Sequence, residues 1–214
     1  MIKLDNVTFS YGDEKIIQNF GISLAKDRIY CIMGASGVGK TTLLRLISGM
    51  LKCNSGSVSG TEKMKKSFIF QENRLLPEMS IYENLRFVTD DDKKINEALQ
   101  NTGLYNDKNK KASALSGGMA RRVAIARAAA FDGDIFFIDE PLYGLDVKTS
   151  ENILELIRQT VQEKTAFIIT HSPEEAFYLA DEIIFLSDKP VTSAQVIKKE
   201  NFSSAEGIKS YLLT

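Results

Sequence analysis

Short unbroken apolar runs alternate along the chain with stretches whose apolar residues recur every three or four positions. That pattern predicts strands buried on both faces, separated by amphipathic helices. Ile29 to Met33, Ser67 to Phe70, Ile135 to Ile138, Thr165 to Thr170 and Ile183 to Leu186 are the runs. Ile153, Leu154, Ile157 and Val161 mark one face of a helix over Val147 to Val161. Ser80 followed by Glu83 is a capping-box pattern that opens a helix over Ile81 to Val88. Asp91 to Thr102 reads as a second helix stopped by Gly103, and Met119 to Ala130 as a third. At the start, Ile2 to Leu4 with Val7 and Phe9, then Ile16 to Leu24, predict strands of an antiparallel apron, whereas Asn54 to Gly60 reads as turn. Strand, helix, strand, helix in succession gives an α/β class with a mainly parallel sheet, whose ligand crevice lies at the carboxyl ends of the strands. Gln71, Asp139, Glu140 and His171 all follow such strands.

Composition narrows this further. A chain of 214 residues buries roughly 70% of the surface its unfolded form exposes and needs no external staple. With 27 basic and 28 acidic residues, it lacks the field that drives nonspecific nucleic-acid binding, so no nucleic acid is expected as a partner. Cys31 and Cys53 show no metal or redox spacing, which predicts neither disulfide nor zinc and suits a reduced cytoplasmic compartment. No apolar run approaches the ~18 residues of a membrane helix, and Met1 to Asp5 is not signal-peptide-like. Any membrane role is expected to come through a partner.

The chemistry enters with Gly34-Ala35-Ser36-Gly37-Val38-Gly39-Lys40-Thr41, placed between an apolar strand and the helix that Thr42 continues. In a G-x-x-x-x-G-K-[ST] loop the backbone N–H groups close around the phosphates of a nucleotide, the lysine reaches the β and γ phosphates, and the hydroxyl faces Mg2+. The helix N-terminus adds its dipole to anion binding. Downstream, Ser116 before Gly117-Gly118 is a preferred N-cap that would start a helix on its own account. Asp139 and Glu140 are adjacent carboxylates at a strand end, and taken alone they are solvated acids.

Taken in order, Tyr11, the loop from Gly34 to Thr41, Gln71, Leu115-Ser116-Gly117-Gly118, Ile135 to Glu140, Leu145-Asp146 and His171 resemble the ATP-binding cassette family over essentially the whole chain. The resemblance implies a P-loop NTPase core with an antiparallel β apron and an inserted helical subdomain. A single domain over 1–214 is expected, with its core in 1–71 and 131–214 and the helical subdomain in about 72–130. It further implies ATP and Mg2+ as cofactors. Thr41, Gln71 and Asp139 would serve the metal, Glu140 would orient the attacking water with His171 and Lys40 beside the γ-phosphate, and Tyr11 would stack on adenine. Ser116, Gly117 and Gly118 would contact ATP held by a second cassette, with Asp146 crossing the dimer. Met119 and Tyr143 depart from the family, which more often has glutamine and a small residue there.

The function so implied is an ATP-hydrolysing subunit that powers transport. Because the chain shows no membrane span, it resembles separate importer subunits, and Arg74 to Pro77 with Ile81 to Asn84 are similar to segments of importers for sulfonates, nitrate, taurine and thiamine-precursor pyrimidines. The implied partners are a paired cassette in a homodimer or heterodimer, transmembrane permease subunits and a solute-binding protein, with the chain cytoplasmic and peripheral on the inner membrane face. Within Glu72 to Met79, Leu75, Leu76 and Pro77 are apolar for a solvated loop, and the resemblance implies that this region, with Leu75 as a docking residue, forms the groove that receives a permease helix. Two alternatives stay open: a soluble cassette ATPase of DNA repair or translation, and a P-loop nucleotide kinase.

Overall fold

Buried Ile2, Leu4, Val7 and Phe9 share one face of the first strand, although the spacing from Leu4 to Val7 breaks strict alternation. A register shift between Leu4 and Val7, where Asn6 takes a left-handed φ of 48°, restores the face. In the computed structural model the described residues, Met1–Leu212, form β1 (Ile2–Tyr11), β2 (Glu14–Leu24), β3 (Ile29–Gly34), α1 (Lys40–Ser48), β4 (Ser55–Ser59), β5 (Lys66–Ile69), α2 (Ile81–Arg86) and α3 (Asp92–Asn101). They continue as α4 (Gly117–Phe131), β6 (Ile135–Asp139), α5 (Val147–Thr160), β7 (Thr165–Ile169), α6 (Pro173–Leu179), β8 (Glu182–Leu186), β9 (Gln195–Lys198) and α7 (Ala205–Leu212). The chain divides into two compact units, Met1–Met64 with the chain from Glu163 onward, and Lys65–Gln162.

In the first unit β3 lies between β7 and β8, parallel to both, and β9 closes the edge antiparallel to β8. Tyr30, Cys31, Ile32 and Met33 are all buried, as a strand covered on both faces requires. A second, antiparallel sheet runs β2-β1-β4. Here the turn expected over Asn54 to Gly60 is corrected: Ser55–Ser59 is a strand, with Val58 opposite Leu4. One apolar residue in five gives almost no strand signal, and it is pairing with β1 that fixes the extended backbone.

In the second unit β5 and β6 pair in parallel and α4 packs on β5. Helices α2 and α3 pack on α4 around Ile81, Leu85, Ile95, Leu99, Val123 and Ala126, all fully buried. Burial contributes about 1.5–3 kcal/mol for each large side chain in this cluster. The Ser80 and Glu83 capping box is present in both directions. The stretch 72–130 lies inside this unit, which also takes in β5, β6 and α5. Among the described residues no helix is long and apolar enough to cross a membrane.

Candidate active site

In the first unit, β3 ends at Gly34, where a Cβ would lie 2.3 Å from the carbonyl oxygen of Leu186 on β8. Only glycine lets the loop leave the sheet here. The loop Ala35 to Gly39 then delivers the chain to α1, whose N-cap is Gly39, with no side-chain cap and no acidic residue in the first turn. Gly39 offers the first-turn N–H groups no side chain, and the helix dipole favours an anion at this end. Lys40 is buried, and its Nζ donates to the carbonyls of Gly34 at 2.9 Å and Ala35 at 2.8 Å. Ser36, Gly37 and Val38 complete the loop, with the Val38 N–H donating to Ala35 O at 3.3 Å.

His171 follows β7 at the same end of the sheet. Ile169 pairs with Ile32 across the parallel β7 and β3 ladder, so His171 and Gly34 both stand two residues beyond one pair. The turn carrying His171 is pinned on both sides. Thr170 Oγ1 accepts from the Ser172 N–H at 3.0 Å and donates to Glu175 Oε2 at 2.6 Å, while Ser172 caps α6. Tyr11 ends β1 in an exposed position, its ring edge-on to Phe9 with centroids 4.9 Å apart.

In the second unit, Ile69 pairs with Ile138, and Gln71 and Glu140 each stand two residues further on. Their side chains meet, with Gln71 Nε2 donating to Glu140 Oε2 at 3.3 Å. Asp139 is the last residue of β6. Glu140 holds a left-handed φ of 44°, a conformation that a non-glycine residue keeps only where its surroundings impose it, and one that concentrates at functional sites.

Helix α4 begins at Gly117, within the Leu115 to Gly118 segment that is the signature of the family resemblance. Ser116 Oγ accepts from the Met119 N–H at 3.3 Å as the N-cap, and no acidic residue occupies the first turn. Asp146 caps α5 in the same way, taking the Thr149 N–H at 3.0 Å and the Thr149 hydroxyl at 2.7 Å. Those two bonds hold its carboxyl below the usual aspartate range. A Cβ on Gly118 would lie 2.9 Å from the Thr149 methyl carbon, so the glycine also lets α4 and α5 approach. Ser116, Gly117, Gly118, Arg122, Asp146 and Asn152 line a cleft of about 800 Å³ between the starts of the two helices.

The first unit thus brings the P-loop and His171 to one sheet end, and the second brings Gln71, Asp139 and Glu140 to another and the signature beside Asp146. Three residues that sequence reasoning missed emerge in the second unit. Thr149 locks Asp146. Arg121 donates to the carbonyls of Phe70 and Gln71, and Arg127 to those of Asn73 and Arg74. Burial draws both guanidiniums down from the usual arginine range. The available signal was an arginine in a helix otherwise rich in buried Val, Ile and Ala, where a charged side chain needs partners.

Residues 17–143 match a family model described as ABC transporter. The chain belongs to the ABC transporter family. It is an ATP-binding subunit of that family and an ATPase. It is 33% identical over 199 residues to an aliphatic sulfonates import ATP-binding protein of Pseudomonas savastanoi pv. phaseolicola, covering 91% of this chain and 83% of the relative. It is 32% identical over 238 residues to the intermembrane phospholipid transport system ATP-binding protein of Haemophilus influenzae, covering 98% and 90%. Among solved structures, a dimeric bacterial ABC transporter cassette, seen also in a post-hydrolysis state bound to ADP and Pi, superposes with a TM-score of 0.79 at 30% identity, covering 94% of this chain and 100% of that one. The soluble repair or translation reading and the kinase reading are not favoured by these relatives.

Proposed function

We propose that this ABC ATPase energises an importer as one of a pair of cassettes, each ATP lying between the P-loop of one subunit and the signature of the other. The observation that carries the reading is the presence of two helix N-termini suited to phosphate, α1 behind Gly39 and α4 behind Ser116, each without an acidic residue in its first turn. Lys40 exchanges the carbonyls of Gly34 and Ala35 for phosphate oxygens when nucleotide enters. Glu140 orients and polarises the attacking water, Gln71 reports the γ-phosphate to Glu140 through their hydrogen bond, and His171 holds the phosphate from its pinned turn. Tyr11 offers its ring to adenine, and Asp146 stands at the dimer crossing.

The residues suit Mg2+ arriving with the nucleotide. Among the described residues, no group of three or more His, Cys, Asp or Glu side chains could hold a metal by itself. Thr41 and Asp139 supply hard oxygen donors of the kind Mg2+ takes in ones and twos beside phosphates, with Gln71 completing the set. When bound, the ion neutralises charge that develops on the phosphates.

The subunit sits on the cytoplasmic membrane face by docking to permease subunits. Cargo is selected by the permease and a solute-binding protein, in keeping with relatives named for aliphatic sulfonates and for phospholipids. ATPase rate measured against subunit concentration tests the shared site. A specific activity that rises with concentration is expected, and one that is constant down to the lowest concentration overturns the pairing.

A further inference from the structure

The segment that carries Gln71 is held in an unfavourable shape. Arg74 adopts a left-handed φ of 47°, and Asn73 Oδ1 is buried with no hydrogen-bond partner among the described residues. Such features persist only when neighbouring structure imposes them. The neighbour is α4. Arg121, one turn into the helix and 2% exposed, donates from Nη1 to Phe70 O at 2.6 Å and from Nη2 to Gln71 O at 2.7 Å. Six residues on, Arg127 donates to Arg74 O at 2.8 Å and Asn73 O at 3.0 Å. Two planar forks thus grip four of five consecutive carbonyls, a grip that a lysine's single ammonium does not reproduce. Arg74 in turn stacks on Phe70, 3.9 Å from its ring centroid.

We infer that Arg121 is a positioning residue for ATP hydrolysis: with Arg127 as second anchor, it ties the backbone of Gln71 to the helix that begins at Ser116, so that Gln71 meets Glu140 only while that helix is in place. Phosphate engagement at Ser116 and γ-phosphate sensing at Gln71 are then one mechanical event, because both ride on α4. This rests on the function proposed above. It adds that the two elements are linked inside one subunit, through arginine side chains that donate to main-chain carbonyls.

The test replaces Arg121 in the full chain. Arg121→Met keeps the stem volume and removes the fork. Its kcat is expected to fall at least tenfold per nucleotide-binding site with KM within about twofold, and amides 71–75 should exchange hydrogen faster while those of α2 and α3 do not. Arg121→Lys should restore part of the rate. In a Gln71→Ala background the further loss from Arg121→Met should shrink to less than about twofold, because the arginine acts through Gln71. Unchanged kcat per site, or a full multiplicative loss in the Gln71→Ala background, overturns the assignment. If Arg121→Met does not fold, Arg121→Lys is read in the same assays, and unfolding of both shows that the arginine is a core strut and overturns its positioning role. A wild-type chain without ATPase would instead strike the functional reading, and the exchange rates of 71–75 would still decide the clamp.

Discussion

The side-chain amide of Gln71 donates to the carboxylate of Glu140 at 3.3 Å, across the ends of two paired parallel strands. The contact joins the residue expected to sense the γ-phosphate to the one expected to polarise water. It engages Oε2 of the Glu140 carboxylate.

Replacing Glu140 with glutamine keeps size and backbone preference while removing the base. Glu140→Gln is expected to bind ATP normally and to hydrolyse it about 10²- to 10⁴-fold more slowly, the usual worth of a positioned acid–base group. The variant should accumulate as an ATP-bound dimer on size-exclusion chromatography. Intact ATP binding with monomer alone in that experiment would sink the sandwich arrangement.

Ser116 caps α4 and lines the cleft beside Asp146, so an arginine there fills the anion site while leaving the P-loop whole. Ser116→Arg should retain ATP binding and lose activity, with about 1 kcal/mol of stability lost with the cap. Mixed with Lys40→Ala, it should recover part of the wild-type rate, because one composite site in the mixed dimer keeps an intact loop and an intact signature. A mixture as inactive as its parents argues that each subunit hydrolyses ATP alone.

How far the sequence carried these readings depended on where the structural cause lies. Ile135 to Asp139 and Thr165 to Ile169 announce themselves because burial on both faces demands unbroken apolar residues. Ser80 and Glu83 announce α2 because the cap is local chemistry. Ser55–Ser59 stays silent, since its extended form comes from β1, distant in sequence. The edge strand Gln195–Lys198 is silent too, because its extended form comes from pairing with β8. The grip of Arg121 and Arg127 on residues 70–74 is likewise nonlocal, about fifty residues apart along the chain. Leu75, in the segment expected to form the docking groove, is half-buried and packs against the helical core of the second unit, a nonlocal contact that its loop sequence does not announce.

Tyr30 makes alkaline stability a test of the core. It is fully buried, stacks on Phe167 with centroids 5.2 Å apart, and donates to Ala25 O at 3.2 Å. Burial first, and the Glu182 carboxylate second, push its phenol up to about 12. The unfolded chain ionises this group near pH 10, so its contribution is complete below that pH and is lost as pH rises toward 12, at about 1.4 kcal/mol per pH unit. Tyr30→Phe should cost about 1 kcal/mol at neutral pH from the lost hydrogen bond and lose stability less steeply between pH 10 and 12. Equal slopes for the two proteins in denaturant titrations would show that the phenol does not drive the alkaline transition.

The docking surface is best tested at Phe87 in place of Leu75. Phe87 follows α2 with 70% of its surface exposed, and Met79, before the Ser80 cap, is 38% exposed. A single exposed aromatic is ordinary on a soluble surface, so exposure alone does not assign it. Placed on the helical unit just after the Gln71 segment, however, it offers an apolar contact that nothing in its own chain consumes fully. Phe87→Asp is expected to leave thermal stability within about 0.5 kcal/mol and the ATPase of the isolated subunit unchanged, while abolishing co-purification with the permease. Leu75→Asp should instead cost roughly 2–5 kcal/mol, as a disrupted core does. Normal co-purification of Phe87→Asp would move the docking surface away from α2, and a core-sized loss of stability in that variant would mean that Phe87 supports the fold.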